Sequence, residues 1–158
     1  MSDIDERSAV NVSDRTPYTE SLVIMSAVRI VTPFVLTYGL FVTFHGADSP
    51  GGGFQGGALI GVVVLMLAFA FGIDPTREWL GDWLLTVVAS LGVLVFGGIG
   101  LGSVVLGGKF LEYTRYPLDH PTKLGVELVE IGGIALIVSG VIVGLFFLTS
   151  RGPGGEDK

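Results

Sequence analysis

Three ionisable side chains stand inside stretches that otherwise lack charge, and they are the residues most able to do chemistry. Glu127 and Glu130 open the last long apolar stretch at i and i+3, neighbouring positions on one helix face. Glu127 lies near the polar end and can be solvated there. Glu130 lies a turn deeper and is followed by an unbroken apolar run. A carboxylate at that depth in a membrane points to a proton relay or a partner for a cation. Arg29 is the one charge in the first apolar stretch, where a central Arg costs about 2.5–3.5 kcal/mol on insertion scales. Two placements are open for it. A helix starting at Pro17 puts Arg29 near mid-membrane; one starting at Leu22 lets its long stem reach the interface. Pro33, four residues on, removes the N–H that the Arg29 carbonyl would accept from. Matching of costly charges leads to the expectation of an Arg29–Glu130 pair, with Glu130 facing another subunit as the alternative.

A second cluster is the connection His45-Gly46-Ala47-Asp48-Ser49-Pro50-Gly51-Gly52-Gly53-Phe54-Gln55-Gly56-Gly57, with six Gly and one Pro. Such a run presents backbone N–H and C=O groups and tolerates positive φ. It lacks the Gly-Lys-Ser/Thr ending of a Walker A loop and the βαβ setting of a dinucleotide fingerprint. His45 and Asp48 are too few to hold a metal, so no metal and no cofactor is expected. Asp119-His120-Pro121 reads as the cap of a helix. With two His, no Cys and no nucleophile–base–acid set, the chain is not expected to be an enzyme.

The elements that must position these groups are apolar. Charged residues make up 15% of the 158, against about 25% in soluble domains, and mean hydropathy is +0.69. Four stretches are apolar on every side and long enough to span a bilayer: about Leu22–Phe44, Phe54–Ile73, Trp83–Leu106 and Leu124–Ser150. The fold class is therefore an all-α integral membrane protein, four transmembrane helices with a Gly-rich connection between helices 1 and 2. Asp74-Pro75 stops the second helix or caps a short surface helix through Trp79. Trp79, Trp83, Tyr113 and Tyr116 sit at span ends as an aromatic belt does. Glycines spaced by four (Gly53, Gly57 and Gly61; Gly98 and Gly102; Gly140 and Gly144) would let helices approach closely, within this chain or against another protein. The organisation reads as an acidic disordered tail 1–16, a membrane domain 17–150 and a polar tail 151–158. The acid-rich start is unlike a signal peptide, and net charge −6 excludes nucleic acid as an expected partner. Five Lys/Arg flank the termini side (Arg7, Arg15, Arg77, Arg151, Lys158) against three on the other (Lys109, Arg115, Lys123), which places both termini in the cytoplasm.

The stretch from Arg29 through Pro33 to the loop His45–Gly57 resembles the MnhB family, a small membrane component of the multisubunit Mrp-type Na+/H+ antiporters, with relatives in membrane-bound hydrogenase complexes. The Pro50-Gly51-Gly52-Gly53-Phe54-Gln55-Gly56-Gly57 run is the specific part; Glu130-Ile131-Gly132 is similar to the family's acid-Ile-Gly pattern. The resemblance covers about residues 17–150. It implies a four-helix subunit, in a prokaryotic plasma membrane, of a complex that exchanges Na+ for H+. It also implies partners: the large complex I-like subunits, other small membrane subunits and the bilayer. Arg29, Pro33, Glu127 and Glu130 are expected to contribute polar groups to the ion path, and Gly61, Gly98, Gly102, Gly132, Gly140 and Gly144 to pack helices. Alternatives are a homologous subunit of a hydrogenase-type complex, a subunit that only seals or scaffolds the assembly, and a self-contained four-helix exporter.

Overall fold

The structure is a computed structural model that describes residues 21–46 and 51–150. The tails 1–16 and 151–158, the Thr16-Pro17 start and the loop residues Asp48 and Pro50 lie outside the described residues. Among those described, all regular structure is helical.

Helix α1 (Leu22–Phe44) starts at Ser21, whose hydroxyl accepts from the Ile24 N–H at 3.4 Å. Pro33 stays within it, and the Thr37 hydroxyl donates to the Pro33 carbonyl at 2.7 Å. Helix α2 (Gly53–Phe71) is bounded by Gly52 at φ 121° and Gly72 at φ 105°, conformations that L side chains rarely adopt. The second span therefore stops short of Ile73. That residue instead opens α3 (Ile73–Leu80), a short amphipathic helix with Pro75 in its first turn. Helix α4 (Asp82–Val105) follows, and Arg77 closes the α3–α4 corner with two bonds to Asp82, Nε–Oδ1 3.0 Å and Nη2–Oδ2 2.7 Å. After a 3-10 turn at Tyr113–Arg115, the fourth span runs unbroken over Pro121–Thr149. It is built of α5 (Pro121–Leu128), a π segment (Val129–Ile134) and α6 (Ala135–Thr149). The cap of α5 is His120, held at φ 59° with Pro121 in the first turn, rather than Asp119.

The four spans stand in a row. Helix α1 packs on α2, α2 on α6, and α6 with the π segment on α4, so α1 and α4 form opposite edges. Few side chains are enclosed. A small core of Ala68, Val143 and Phe147 gathers Val64, Leu65, Ile73, Leu80, Leu85 and Phe146 at the α3 end. Elsewhere close backbone approach replaces bulk. A Cβ on Gly92 would stand 2.8 Å from the Gly133 carbonyl, and one on Gly57 2.7 Å from the Ala135 carbonyl. The opposite end is closed by the 106–120 connection, which folds back on α4. The Phe110 ring lies on Gly100 and meets Phe96 edge-on at 6.0 Å. The Tyr116 hydroxyl donates to the Ile99 carbonyl at 2.6 Å.

Candidate functional site

Glu130 lies in the π segment, where the fourth span is locally widened. Gly132 and Gly133 sit inside that segment, and the Ala135 N–H bonds back to the Glu130 carbonyl, five residues away. Such bulges occur mostly as single turns and often at functional sites. The end of α1 and the start of α2 converge on this carboxyl. A Cβ on Gly46 would collide with Oε2, and one on Gly52 would stand 2.7 Å from Oε1. One on Gly53 would collide with the Glu130 carbonyl oxygen and lie 3.0 Å from its Cα. Three glycines thus cradle one acid, and only residues without a side chain allow the approach. Within the cradle Oε2 is buried and has no hydrogen-bond partner.

The charges around it are few. Lys123 Nζ reaches Glu127 Oε1 at 4.0 Å on α5, outside the cradle. Tyr113 covers Gly125, where a Cβ would collide with its ring. Burial raises the Tyr113 phenol above its ordinary range, and the negative charge of Glu130 adds to the shift.

Arg29 is not part of this site. Its guanidinium lies over the Phe71 ring, 5.3 Å from the centroid, beside the end of α2. From Arg29 to the end of α1 at Phe44 is roughly 22 Å of helix axis, and Glu130 is met only beyond that end. The expected Arg29–Glu130 pair is thus replaced by two separate arrangements at opposite ends of the helices. Pro33 lies between them on α1, and Glu127 faces Lys123.

The remaining residues of the glycine loop divide by role. His45 stacks on Phe41 with centroids 4.2 Å apart, its Nδ1 3.0 Å from the Phe41 carbonyl. Gly51 closes on Val42, and Phe54 and Gln55 are exposed. Gly56 admits the Thr43 hydroxyl and lies 2.8 Å (from its would-be Cβ) from the Gly39 carbonyl, which joins α1 to α2. Among the glycines expected to pack helices, Gly61 meets Ile142 at 3.1 Å, Gly132 meets Val95 at 3.1 Å and Gly140 meets Ala89 at 3.2 Å. Gly102 receives the Tyr116 hydroxyl of the connection rather than a helix. A Cβ on Gly98 or Gly144 would find nothing within 4 Å in this chain. Two features escape sequence reasoning: the packing of Tyr113 on Gly125 of the fourth span, and the convergence of Gly46, Gly52 and Gly53 on Glu130. Those glycines and Glu130 are distant in sequence, and no periodicity links them. No group of three His, Cys, Asp or Glu gathers among the described residues.

Comparison with known proteins adds an independent line. A family model described as a domain related to the MnhB subunit of Na+/H+ antiporter matches residues 23–144, taking in all three glycines and Glu130. The chain is similar to the B-type Na(+)/H(+) antiporter subunit of Bacillus subtilis strain 168, with 28% identity over 127 residues, 78% of this chain and 88% of the relative. It is also similar to the subunit of the same name from Alkalihalophilus pseudofirmus, with 28% identity over 117 residues, 72% of this chain and 81% of the relative.

Proposed function

The chain belongs to the MnhB family of Na+/H+ antiporter subunits, and on that premise we propose that Glu130 is the group through which it takes part in ion movement. It is a membrane subunit of a multisubunit Na+/H+ antiporter and works with other subunits. The observation that carries the Glu130 reading is the buried, unpartnered Oε2 in its glycine cradle. An ionisable group inside a membrane is expensive and marks a substrate or proton path by default. Arg29, Pro33 and Glu127 join it as polar groups along the same subunit, with Arg29 serving the opposite end.

The row of helices supports a subunit set between neighbours. Phe34, Tyr38 and Phe41 on α1 and Val93, Leu94 and Leu101 on α4 are exposed, apolar surface for lipid or for other subunits. We assign the neighbours to the large complex I-like subunits and to small membrane subunits, in the plasma membrane of a prokaryotic cell. Both termini are cytoplasmic on this reading, following the excess of Lys and Arg on their side. The names of both relatives favour antiport over a hydrogenase-type assembly.

The test is Glu130→Gln and Glu130→Asp within the complete complex. Antiport is followed in everted vesicles and copurification of the other subunits in mild detergent. The expected result is loss of antiport in E130Q with the complex intact, and partial activity in E130D. Full antiport in E130Q refutes the role, and loss of the complex in both variants assigns Glu130 to assembly.

A further inference from the structure

We infer that Glu130 binds a proton and does not coordinate the transported cation; the inference rests on the reading of Glu130 as an ion-path group and specifies its substrate. Space is the first argument. Both carboxyl oxygens are hemmed in by glycine backbone, Oε1 against Gly52 and Oε2 against Gly46. Calcium, a hard cation near sodium in size, takes roughly six to eight oxygens at about 2.3–2.6 Å, and sodium likewise needs several oxygens around it. Around Glu130 the Cα–H groups of Gly46 and Gly52 stand against the two carboxyl oxygens, where a coordinated ion would have to sit. A proton needs no such shell.

Charge is the second argument. Ionised, Glu130 leaves Oε2 buried and unpaired; protonated, it leaves a neutral acid, which low-dielectric surroundings tolerate far better. Among the described residues, the elements packed against it bring no Lys or Arg to the carboxyl. Helix α2 and helix α6 carry no ionisable side chain, and α4 carries only Asp82 at its far end. Helix α1 carries Arg29 over Phe71 at the far end, an exposed Tyr38 and, just past its end, His45 stacked on Phe41. On α5, Lys123 faces Glu127. Asp48 lies outside the described residues. From the 106–120 connection, the Tyr113 ring packs on Gly125, and its phenol feels the Glu130 charge.

Infrared difference spectroscopy of the complete complex, wild type against Glu130→Gln, tests this. The expected result is a protonated-carboxyl C=O band present in the wild type, lost in E130Q, fading as pH rises and unmoved by added Na+ at fixed pH. If E130Q does not assemble, Glu130→Asp serves, with a shifted band in place of a lost one. Absence of the band throughout the pH range of antiport overturns the inference. So does a band that Na+ abolishes at fixed pH, because the cation then occupies the same oxygens. Loss of antiport in E130Q together with such Na+ competition leaves the ion-path reading standing and removes only this one.

Discussion

Replacing Gly53 by Ala is the sharpest test of the cradle. The new Cβ would collide with the Glu130 carbonyl oxygen and lie 3.0 Å from the Glu130 Cα. Both are backbone atoms, so no rotamer change relieves the overlap; α2 and the π segment must separate. Overpacking of a tight site costs about 1–3 kcal/mol, while Ala recovers up to about 1 kcal/mol of helix propensity over Gly. The net expectation is a loss of about 1–2 kcal/mol, which is about a 5–30-fold fall in the folded-to-unfolded ratio. Gly46→Ala adds a second collision, because its Cβ would meet Oε2 and also stand 2.5 Å from the Gly52 Cα, a backbone atom. That variant loses stability as well, and it shifts the carboxyl, impairing antiport. The assay is retention of the subunit in the detergent-purified complex across a temperature series, with antiport measured in parallel. Equal retention of Gly53→Ala and wild type would refute the claim that α2 and the fourth span touch backbone to backbone at this point.

Other predictions follow from the same geometry. Arg29→Gln and Glu130→Gln act at opposite ends, so their effects on stability add within about 0.3–0.5 kcal/mol in a double-mutant cycle; a larger coupling would restore the direct pair. Tyr116→Phe removes the bond to the Ile99 carbonyl and costs about 0.5–1.5 kcal/mol, read as faster proteolysis of the 106–120 connection. Tyr113, raised by burial and then by Glu130, favours its neutral form in the folded state. Its stabilisation is whole below its unfolded value of about 10 and is lost as pH climbs through the raised one. Ultraviolet titration of Tyr113→Phe should therefore lack a late-ionising phenol, and an unchanged curve would contradict the burial.

Much of the architecture was legible because hydropathy alone fixes spans: α1 lies on the residues expected, and the other three within a few. The deviations have local causes. Gly72 at φ 105° ended α2 before Ile73, although both residues suit an apolar run. His120 took the cap from Asp119 by adopting a left-handed backbone. The two belt tyrosines turned inward, Tyr116 to the Ile99 carbonyl and Tyr113 onto Gly125, whereas Trp79 and Trp83 stay exposed. The individual site residues stood out by type, since acids and arginines are rare in such stretches. Their grouping did not. Charge matching suggested Arg29 for Glu130, but helix direction puts the two at opposite ends, and direction along a membrane normal is invisible to pairwise reasoning. The π segment left no mark either, since Val-Glu-Ile-Gly-Gly-Ile is equally compatible with an ordinary helix.

The single-file arrangement of the helices has a consequence for the cell. Among the described residues, seven hydrophobic side chains are buried, so most of the apolar surface faces outward, to lipid or to neighbouring subunits. Where that surface meets other subunits, their binding would add stability by mass action, rising with their concentration. The expected outcome is that copies made in excess of their partners turn over faster than assembled ones, checked by pulse-chase with and without the other subunits. On that expectation, the outward-facing surface would make the abundance of this subunit follow that of its scarcest companion.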